Sequence, residues 1–314
     1  MIIALQLGLL YAVMALGVYL TYRVLDFPDL TVDGSFTTGA SVTSVLIVGG
    51  QSPLLATVAG LLAGAVAGCV TGLLHTAGRI NPLLAGILTQ IALYSINLRI
   101  MGKANVPLLG QTTLLSPLRD SGQLTTWVGV GVFAGVVLAV GLVTVWFLGT
   151  DMGVALRATG DNEAMASSQG VSVDRAKVLG LTISNALVGL CGALVAQFAG
   201  FADISMGIGL IVAGLASVII GQALLSGRTV WVAVVAVVLG SIVYRGVIQI
   251  ALGVGLNPND MKLISAVLVV VALVLPRTAP LRQWRRLRAS RVAVPDLTET
   301  DAPEAAAPTG EAAR

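Results

Sequence analysis

Two short acidic motifs carry polar side chains that could contact a solute within an otherwise apolar chain. Asp29 and Thr31 form the first motif, and Asp203 and Ser205 form the second, 174 residues further on (203 − 29). Each motif follows a phenylalanine and precedes a glycine-containing run rich in hydroxyl side chains. A helix broken at such a place exposes N–H and C=O groups, which must line a cavity or be buried in protein. The motifs therefore indicate either the polar lining of a transport path or the capping of a helix, for which Asp, Ser and Thr are well suited.

A third polar candidate is Arg245, which lies near the middle of a long apolar stretch. A charge at that depth in a membrane costs at least about 2.5 kcal/mol, so its guanidinium must face protein or water. It could pair with an acid of the path, or the stretch could be shifted so that the side chain reaches the membrane surface. Asp26 and Asp33 are interpreted as ordinary acids at a helix boundary.

The sequence offers no arrangement suited to catalysis or to metal binding. His75 is the one histidine, and Cys69 and Cys191 lie inside apolar blocks, where they are expected to pack as small residues. No Ser/His/Asp arrangement or Cys-x-x-Cys motif is recognised, and Gly102-Lys103 is not followed by the Ser or Thr of a phosphate-binding loop. We therefore expect no metal, no bound cofactor and no enzyme activity. If ATP drives the protein, another subunit hydrolyses it.

Composition identifies a helical membrane protein. Of the 314 residues, 56% are hydrophobic and 11% are charged, and the mean hydropathy is +0.93, whereas soluble domains are about 25% charged. Several blocks approach the ~20 apolar residues that span a bilayer as a helix. The net charge of +3 is modest, so nucleic-acid binding is not expected. We predict an all-α polytopic protein with about nine transmembrane helices, over residues 2–20, 35–48, 54–76, 82–101, 126–149, 178–198, 206–225, 229–252 and 259–275.

Lysine and arginine lie mainly on one side of these predicted spans. By the positive-inside tendency, this bias places the N-terminus outside and the C-terminus in the cytoplasm. Residues 1–276 would form the transmembrane domain, in halves 1–150 and 178–276 joined by a cytoplasmic loop over 151–177. Residues 277–314 begin with arginines and continue as an Ala-, Pro-, Glu- and Thr-rich stretch, which predicts a basic and then disordered cytoplasmic tail.

One predicted span carries a glycine ridge, which consists of Gly60, Gly64, Gly68 and Gly72 at a spacing of four. Small residues at this spacing share one helix face and let a neighbouring helix approach closely. We expect this span to pack tightly against another.

The two halves of the chain echo each other. Besides the two acidic motifs, Ala40-Ser41-Val42 matches Ala216-Ser217-Val218, and Ile80-Asn81-Pro82 matches Leu256-Asn257-Pro258. Five predicted spans separate the starts of the two halves, and an odd number means that the halves cross the membrane in opposite directions. The pattern predicts an inverted repeat with broken helices, an arrangement typical of transport proteins.

The longest polar passage between the hydrophobic blocks is residues 151–177. Its charges cannot sit in lipid, so the passage must emerge on one side of the membrane. Its middle, residues 161–169, begins with Asp161-Asn162-Glu163 and is rich in Ala and Met. Asp and Asn cap helices, and acids suit the first turn. We predict a short surface helix here that a partner outside the membrane can bind.

Four motifs resemble those of ABC importer permeases of the branched-chain amino acid and ribose type. In the central passage, Leu156-Arg157-Ala158-Thr159-Gly160-Asp161-Asn162-Glu163 precedes an Ala-rich stretch and Gln169-Gly170-Val171, which resembles the family's coupling loop. The other three are similar to a subgroup named as uncharacterised or tryptophan/tyrosine-type permeases. They are LDFPDLTVDGS (25–35), INPLLAGILT (80–89) and GLNPND (255–260). The acidic segment Phe27-Pro28-Asp29-Leu30 departs from the better-known members, so their amino-acid or sugar specificity does not carry over.

The resemblance implies the permease subunit of an importer, embedded in the lipid of a bacterial inner membrane. Two copies of the permease, as a homodimer, would form the path for a small solute such as an amino acid. Cytoplasmic ATPase subunits would dock inside, and an extracytoplasmic binding protein would deliver the solute. The residues assigned to ATPase coupling are Arg157, Gly160, Asp161, Asn162, Glu163, Gln169 and Gly170.

The candidates for the path are Asp29, Thr31, Asp203, Ser205 and Arg245. The alternative that remains open is a stand-alone secondary transporter or channel, driven by an ion gradient. In that case Asp29, Asp203 or Arg245 would carry the coupling to the ion.

Overall fold

Most of the described chain consists of long helices that coincide with the apolar stretches of the sequence. The computed structural model describes residues 2–225, 229–254 and 261–274. The helices are α1 (Ile2–Tyr19), α2 (Thr31–Val48), α3 (Pro53–Thr76), α4 (Pro82–Met101), α5 (Ser116–Asp120), α6 (Trp127–Gly149), α7 (Asp151–Asp161), α8 (Glu163–Ser168), α9 (Val173–Ala199), α10 (Leu210–Leu224), α11 (Val230–Gly253) and α12 (Met261–Val274), and the strands are β1 (Asn105–Pro107) and β2 (Phe201–Asp203). A π-helical turn, Leu20–Val24, extends α1. The chain divides into one unit up to Leu273 and a second from Val274 onward, of which only Val274 is described.

Six of the described helices are long and apolar enough to cross a membrane. They are α1 with its π-helical turn, α3, α4, α6, α9 and α11. Of the other predicted spans, α10 has 15 residues, α12 has 14, and α2 carries many hydroxyl side chains. These features indicate a multi-pass helical membrane protein. Each of the nine predicted spans contains a helix, but nine crossings remain a prediction, and the predicted tail over residues 277–314 lies outside the described residues.

Several helices begin or end at capping residues of the sequence. The Ser52 hydroxyl accepts a hydrogen bond from the Leu55 N–H (3.4 Å), and the Asn81 side chain accepts one from the Leu83 N–H (3.0 Å). A proline follows each cap, where its missing N–H would have been unpaired in any case. At the other end of a helix, α9 stops at Gly200, whose φ of +80° suits glycine.

The glycine ridge of α3 packs as predicted against a neighbouring helix. All four glycines are buried, and a side chain at any of them would collide with α2 or α9. Gly60 lies beside Ala193 and Gly72 beside Val178, so α3 and α9 run antiparallel. Close backbone contact along this length is the main source of helix association within lipid.

The centre of the described bundle is α1. It packs against α6, α9, α10 and α11. Small polar groups bond across these contacts: Cys191 Sγ donates to the Leu10 carbonyl (3.2 Å), and the Ser241 hydroxyl donates to the Gly8 carbonyl (2.8 Å). Cys191 is fully buried, as expected for a small packing residue.

A two-stranded sheet lies at one end of the bundle, which we call the strand end. Strands β1 and β2 pair antiparallel, with Asn105 opposite Asp203, and the Leu108 N–H donates to the Gly200 carbonyl (2.8 Å). The all-α prediction did not include this sheet. The chain leaves α4 and α9 at the same end, and the two extended segments satisfy each other's backbone groups.

Helices α7 and α8 lie at the opposite end, which we call the α7–α8 end. Gly160 of α7 lies against the backbone of Val24, at the end of the π-helical turn. Lys177, near the start of α9, contacts His75, near the end of α3. From here α9 runs to Ala199 at the strand end.

Candidate functional site

Each helix of the α7–α8 pair begins at a residue whose side chain caps it. Thr150 Oγ1 accepts a hydrogen bond from the Gly153 N–H (3.3 Å) at the start of α7, and Asn162 Oδ1 accepts one from the Met165 N–H (3.0 Å) at the start of α8. Glu163 follows in the first turn of α8, where an acid is favourable. The helix predicted over residues 161–169 is therefore α8. The structure adds α7 before it, which the prediction lacked.

An ion pair ties α8 to the bundle. Glu163 Oε1 lies 2.7 Å from Lys177 Nζ, and this is the single salt bridge among the residues that the structure describes. The buried Lys177 ammonium also donates to His75 Nε2 (3.3 Å), and His75 Nδ1 lies 2.8 Å from the Ile80 carbonyl. Because an ammonium can only donate, His75 accepts at Nε2 and donates from Nδ1 to Ile80. Glu163 thus links a surface helix to the interior.

The His75 ring connects this ion pair to the segment after α1. Phe27 packs edge-on against it, with ring centroids 5.2 Å apart. Phe27 belongs to residues 25–30, which lead from the π-helical turn to the start of α2, and its side chain is buried. A chain of contacts therefore runs from Glu163 through Lys177 and His75 to Phe27.

Asp29 lies two residues further on, within a buried polar cluster. Its Oδ1 accepts the Thr31 N–H (2.9 Å), and its Oδ2 accepts from Asn185 Nδ2 (2.7 Å). The Thr31 hydroxyl bonds the Thr71 hydroxyl of α3 (2.7 Å). Asn185 is the thirteenth of the 27 residues of α9 (185 − 173 + 1), so the cluster sits at the mid-height of that helix. The structure brings Asp29 and Thr31 together, with three helices around them.

Asp33 joins the two halves of the chain. It lies in the first turn of α2, and its Oδ2 and Oδ1 accept the N–H groups of Gly209 (2.7 Å) and Ile211 (2.8 Å) at the start of α10. A carboxylate is favourable at a helix N-terminus. The interpretation of Asp33 as an ordinary boundary acid is therefore incomplete, because its side chain also caps a distant helix.

Helices α2 and α10 begin beside each other and run to opposite ends of the bundle. The Thr43 hydroxyl of α2 bonds the Ala56 carbonyl near the start of α3, towards the strand end. Gly214 of α10 lies against Val18, towards the α7–α8 end. Their starts meet at Asp33, in the interior.

The second acidic motif lies at the strand end. Asp203 Oδ1 accepts from the Ser205 N–H (2.9 Å) and hydroxyl (2.5 Å), and its Oδ2 accepts from Asn105 Nδ2 (3.3 Å). The hydroxyl of Ser205, together with these other donors, lowers the pKa of Asp203 below its usual value. Asp203 is half-buried and Ser205 is exposed.

The Arg245 guanidinium lies over one aromatic ring. Its Cζ lies 3.5 Å from the centroid of the Tyr11 ring, and Tyr11 stacks on Phe36 with centroids 6.1 Å apart. The contact is a cation–π interaction, which is strongest when desolvated. Arg245 Nε is buried without a partner, and no acid within the described ranges pairs with the guanidinium. The structure therefore does not bring Arg245 together with Asp29 or Asp203.

The residues predicted to couple to an ATPase divide into two groups. Arg157 and Gly160 face the bundle: Arg157 is half-buried, and a Cβ at Gly160 would collide with the Val24 carbonyl. The exposed group consists of Asp161, Asn162, Glu163, Gln169 and Gly170. Met152 and Met165 are also largely exposed at this end, at 65% and 63%.

Among the buried polar residues that sequence reasoning did not single out are Thr71, Asn97 and Asn185. Each stands within an apolar stretch, and a polar group at membrane depth is costly unless it is paired. A single polar residue within an apolar stretch could therefore have been singled out from the sequence. The partners of Thr71 and Asn185 could not be predicted, because they lie 40 and 156 positions away in the sequence.

Comparisons with known proteins agree on one family. The branched-chain amino acid transport system permease component family matches residues 1–274. A tyrosine transport system permease protein of Clostridioides difficile (strain R20291) is 42% identical over 272 residues, covering 85% of this chain and 88% of that protein. An uncharacterised protein of Rickettsia prowazekii (strain Madrid E) is 34% identical over 277 residues, 87% and 96% of the two chains. The ribose import permease protein RbsC of Escherichia coli (strain K12) is 26% identical over 240 residues, 73% and 72%.

No solved structure matches the chain. The family match nevertheless spans every described helix, and six of those helices are apolar enough to cross a membrane. This multi-pass membrane protein therefore belongs to the branched-chain amino acid transport system permease family, whose members are ABC-type permeases.

Proposed function

We propose that this chain is the transmembrane permease subunit of an ABC-type importer in which a separate cytoplasmic subunit hydrolyses ATP. The observation that carries the proposal is the α7–α8 pair, whose exposed surface is joined to the interior by the Glu163–Lys177 ion pair. A surface helix anchored in this way can transmit a displacement from a docked ATPase subunit to the helix bundle. Membership of the permease family supports the same role.

The ATPase would bind the exposed residues of the α7–α8 end. Asp161, Asn162, Gln169 and Gly170 would contact it directly, with Met152 and Met165 as apolar contacts. Exposed methionines adapt their shape to a partner, and they are often used at binding surfaces. Arg157 and Gly160 would act from beneath, because Gly160 lies against the end of the π-helical turn and Arg157, three residues earlier, is half-buried.

Movement of α8 would reach residues 25–30, because Lys177 and His75 connect Glu163 to Phe27. That segment includes Asp29 and leads directly to Thr31, the first residue of α2, so its movement would shift the start of α2 in the interior. The opposed courses of α2 and α10 support the inverted repeat with broken helices, and about nine helices would then cross the membrane. Rocking of the two halves about such a repeat would give alternating access.

The solute would be small and amino-acid-like. The tyrosine transport permease of C. difficile is 42% identical, so L-tyrosine is the first solute to test. An extracytoplasmic binding protein would deliver it at the strand end, near Asp203 and Ser205. The guanidinium of Arg245, with no acid beside it among the described residues, suits a carboxylate.

A second copy of the chain would complete the path. Gln90, Tyr94 and Ser95 lie on the same side of α4, and Tyr94 and Ser95 are exposed. Polar side chains of this kind avoid lipid, so this side of α4 would face the path between two copies. We place the homodimer in the lipid of a bacterial inner membrane, with the C-terminus in the cytoplasm.

Reconstituted transport tests the proposal. The permease would be placed in proteoliposomes with its ATPase subunit and its binding protein, and uptake of radiolabelled L-tyrosine would be followed with and without ATP. We expect uptake that requires both ATP and the ATPase subunit. Equal uptake by the permease alone, driven by an ion gradient, would instead identify a stand-alone secondary transporter.

A further inference from the structure

A cavity lies between α2 and α4 and is separate from the α7–α8 end. Its volume is about 440 Å³, which falls within the range of small-molecule sites, about 300–1,000 Å³. Asp33 and Thr37 of α2 form one wall, and Gln90, Tyr94 and Asn97 of α4 form another. Ile204 and Ile208, from the segment after β2, close it on the side of the strand end.

Asn97 is the group in this cavity that the fold does not explain. It is fully buried, and neither its Oδ1 nor its Nδ2 has a partner among the described residues. Its neighbours are engaged: the Thr37 hydroxyl donates to the Asp33 carbonyl (3.1 Å), and the Asp33 carboxylate caps α10. An unpaired buried amide is destabilising, more so within a membrane span. A leucine has the same branched side chain with two methyl groups in place of the polar atoms, so it would fill this position without an unpaired amide.

The lining defines what the cavity can bind. None of the described residues that line it is Lys, Arg or His, so these residues offer no counter-charge to an anionic group. An amide both donates and accepts, and therefore suits a neutral hydrogen-bonding group such as a hydroxyl or an amide. The Tyr94 ring and the two isoleucines suit an apolar body.

We propose that this cavity binds the transported solute during its passage, with the Asn97 amide pairing with a neutral hydrogen-bonding group of the solute. This rests on the proposed transport function. Because the amide is covered, its side chain would turn towards the cavity when the solute enters. Tyr94, Ile204 and Ile208 would contact the apolar part of the solute.

Uptake by the complete importer tests the role of Asn97. In the Asn97→Leu variant, the L-tyrosine concentration for half-maximal uptake should rise about tenfold, as expected for one lost hydrogen bond to a solute. The midpoint of thermal denaturation should stay the same or rise, because an unpaired amide is removed. Thr89→Val is the matched control: Thr89 is buried on the same helix, bonds the Ala85 carbonyl, and does not line the cavity. It should leave the half-saturating concentration unchanged.

A second measurement does not depend on how Asn97→Leu folds. Ser95 lies in the cavity wall and is exposed, so Ser95→Cys, in a Cys69→Ala background, can be labelled by a small thiol reagent. L-tyrosine should slow this labelling at least about threefold in the importer complex. Unchanged labelling, or a wild-type half-saturating concentration in Asn97→Leu, would overturn the inference even if uptake remains ATP-dependent. Uptake that needs no ATPase would overturn the proposed function instead.

Discussion

The two acidic motifs have the same local geometry and different surroundings. In each, the aspartate Oδ1 accepts the N–H of the residue two positions later, at 2.9 Å in both cases. Asp29 is 3% exposed and is bonded by Asn185 of a distant helix, whereas Asp203 is half-buried and is bonded by Asn105 of the neighbouring strand β1. The short-range bond follows from the Asp-x-Ser/Thr pattern. Its energetic weight is set by the tertiary structure around it.

Removal of the carboxylate from each motif in turn should give the largest difference in stability between them. Asp29→Ala leaves the Thr31 N–H and one N–H of the Asn185 amide unpaired in the interior, whereas the other amide N–H keeps its bond to the Leu181 carbonyl. We expect it to destabilise the protein by about 3 kcal/mol. Asp203→Ala leaves groups that can be solvated, and we expect a loss below about 1 kcal/mol. Thermal denaturation of the purified protein in detergent would measure both. Equal losses would show that burial does not distinguish the motifs.

The different surroundings of the two motifs could not be predicted from the sequence. Both motifs, the glycine ridge, the apolar helices and a capped helix after Asn162 were predictable, because each depends on residues a few positions apart. The pairing of Asp29 with Asn185, and of Asp33 with the start of α10, depends on residues more than 150 positions apart. The antiparallel strands had no signal either, because three-residue segments carry too little pattern.

Asp33 extends the comparison to a third carboxylate, which connects the two halves of the chain. Asp33→Ala removes the acceptor for two N–H groups at the start of α10. We expect a loss of about 2 kcal/mol, at the upper end for a helix cap. Asp120→Ala is the control, because Asp120 is exposed and its backbone lies outside the left-handed region, and its effect should be within about 0.5 kcal/mol. Both would be measured by the same denaturation assay.

Reversing the charge at Glu163 tests the contact that joins the surface to the Asp29 cluster. In Glu163→Lys, two ammonium groups would face each other where the ion pair now stands, and ATP-dependent uptake should fall about tenfold. The double exchange Glu163→Lys with Lys177→Glu should recover most of it. Asp120→Lys makes the same charge change on the exposed strand end and should have little effect. A double exchange no better than Glu163→Lys alone would argue against the contact.

The smallest expected effect is the pH dependence of Asp203. Its pKa is lowered in the folded protein, so its stabilisation is present above the pKa of the unfolded chain, about 3.9. It is lost as the pH falls through the lower folded value. Asp203→Asn should therefore differ from wild type near neutral pH by less than about 1 kcal/mol. The difference should close below about pH 4. Denaturation midpoints from pH 7 to pH 3 would show whether it does.

Site-specific photo-crosslinking tests most directly whether the ATPase subunit docks at the α7–α8 end. A photoreactive residue would replace either Met165 of α8 or Leu109 at the strand end, which are both exposed, at 63% and 80%. The account predicts cross-linking of the ATPase subunit from position 165, changing in yield when ATP is added, and none from position 109. Cross-linking of the ATPase from position 109, or from neither position in an importer that still transports, would contradict it.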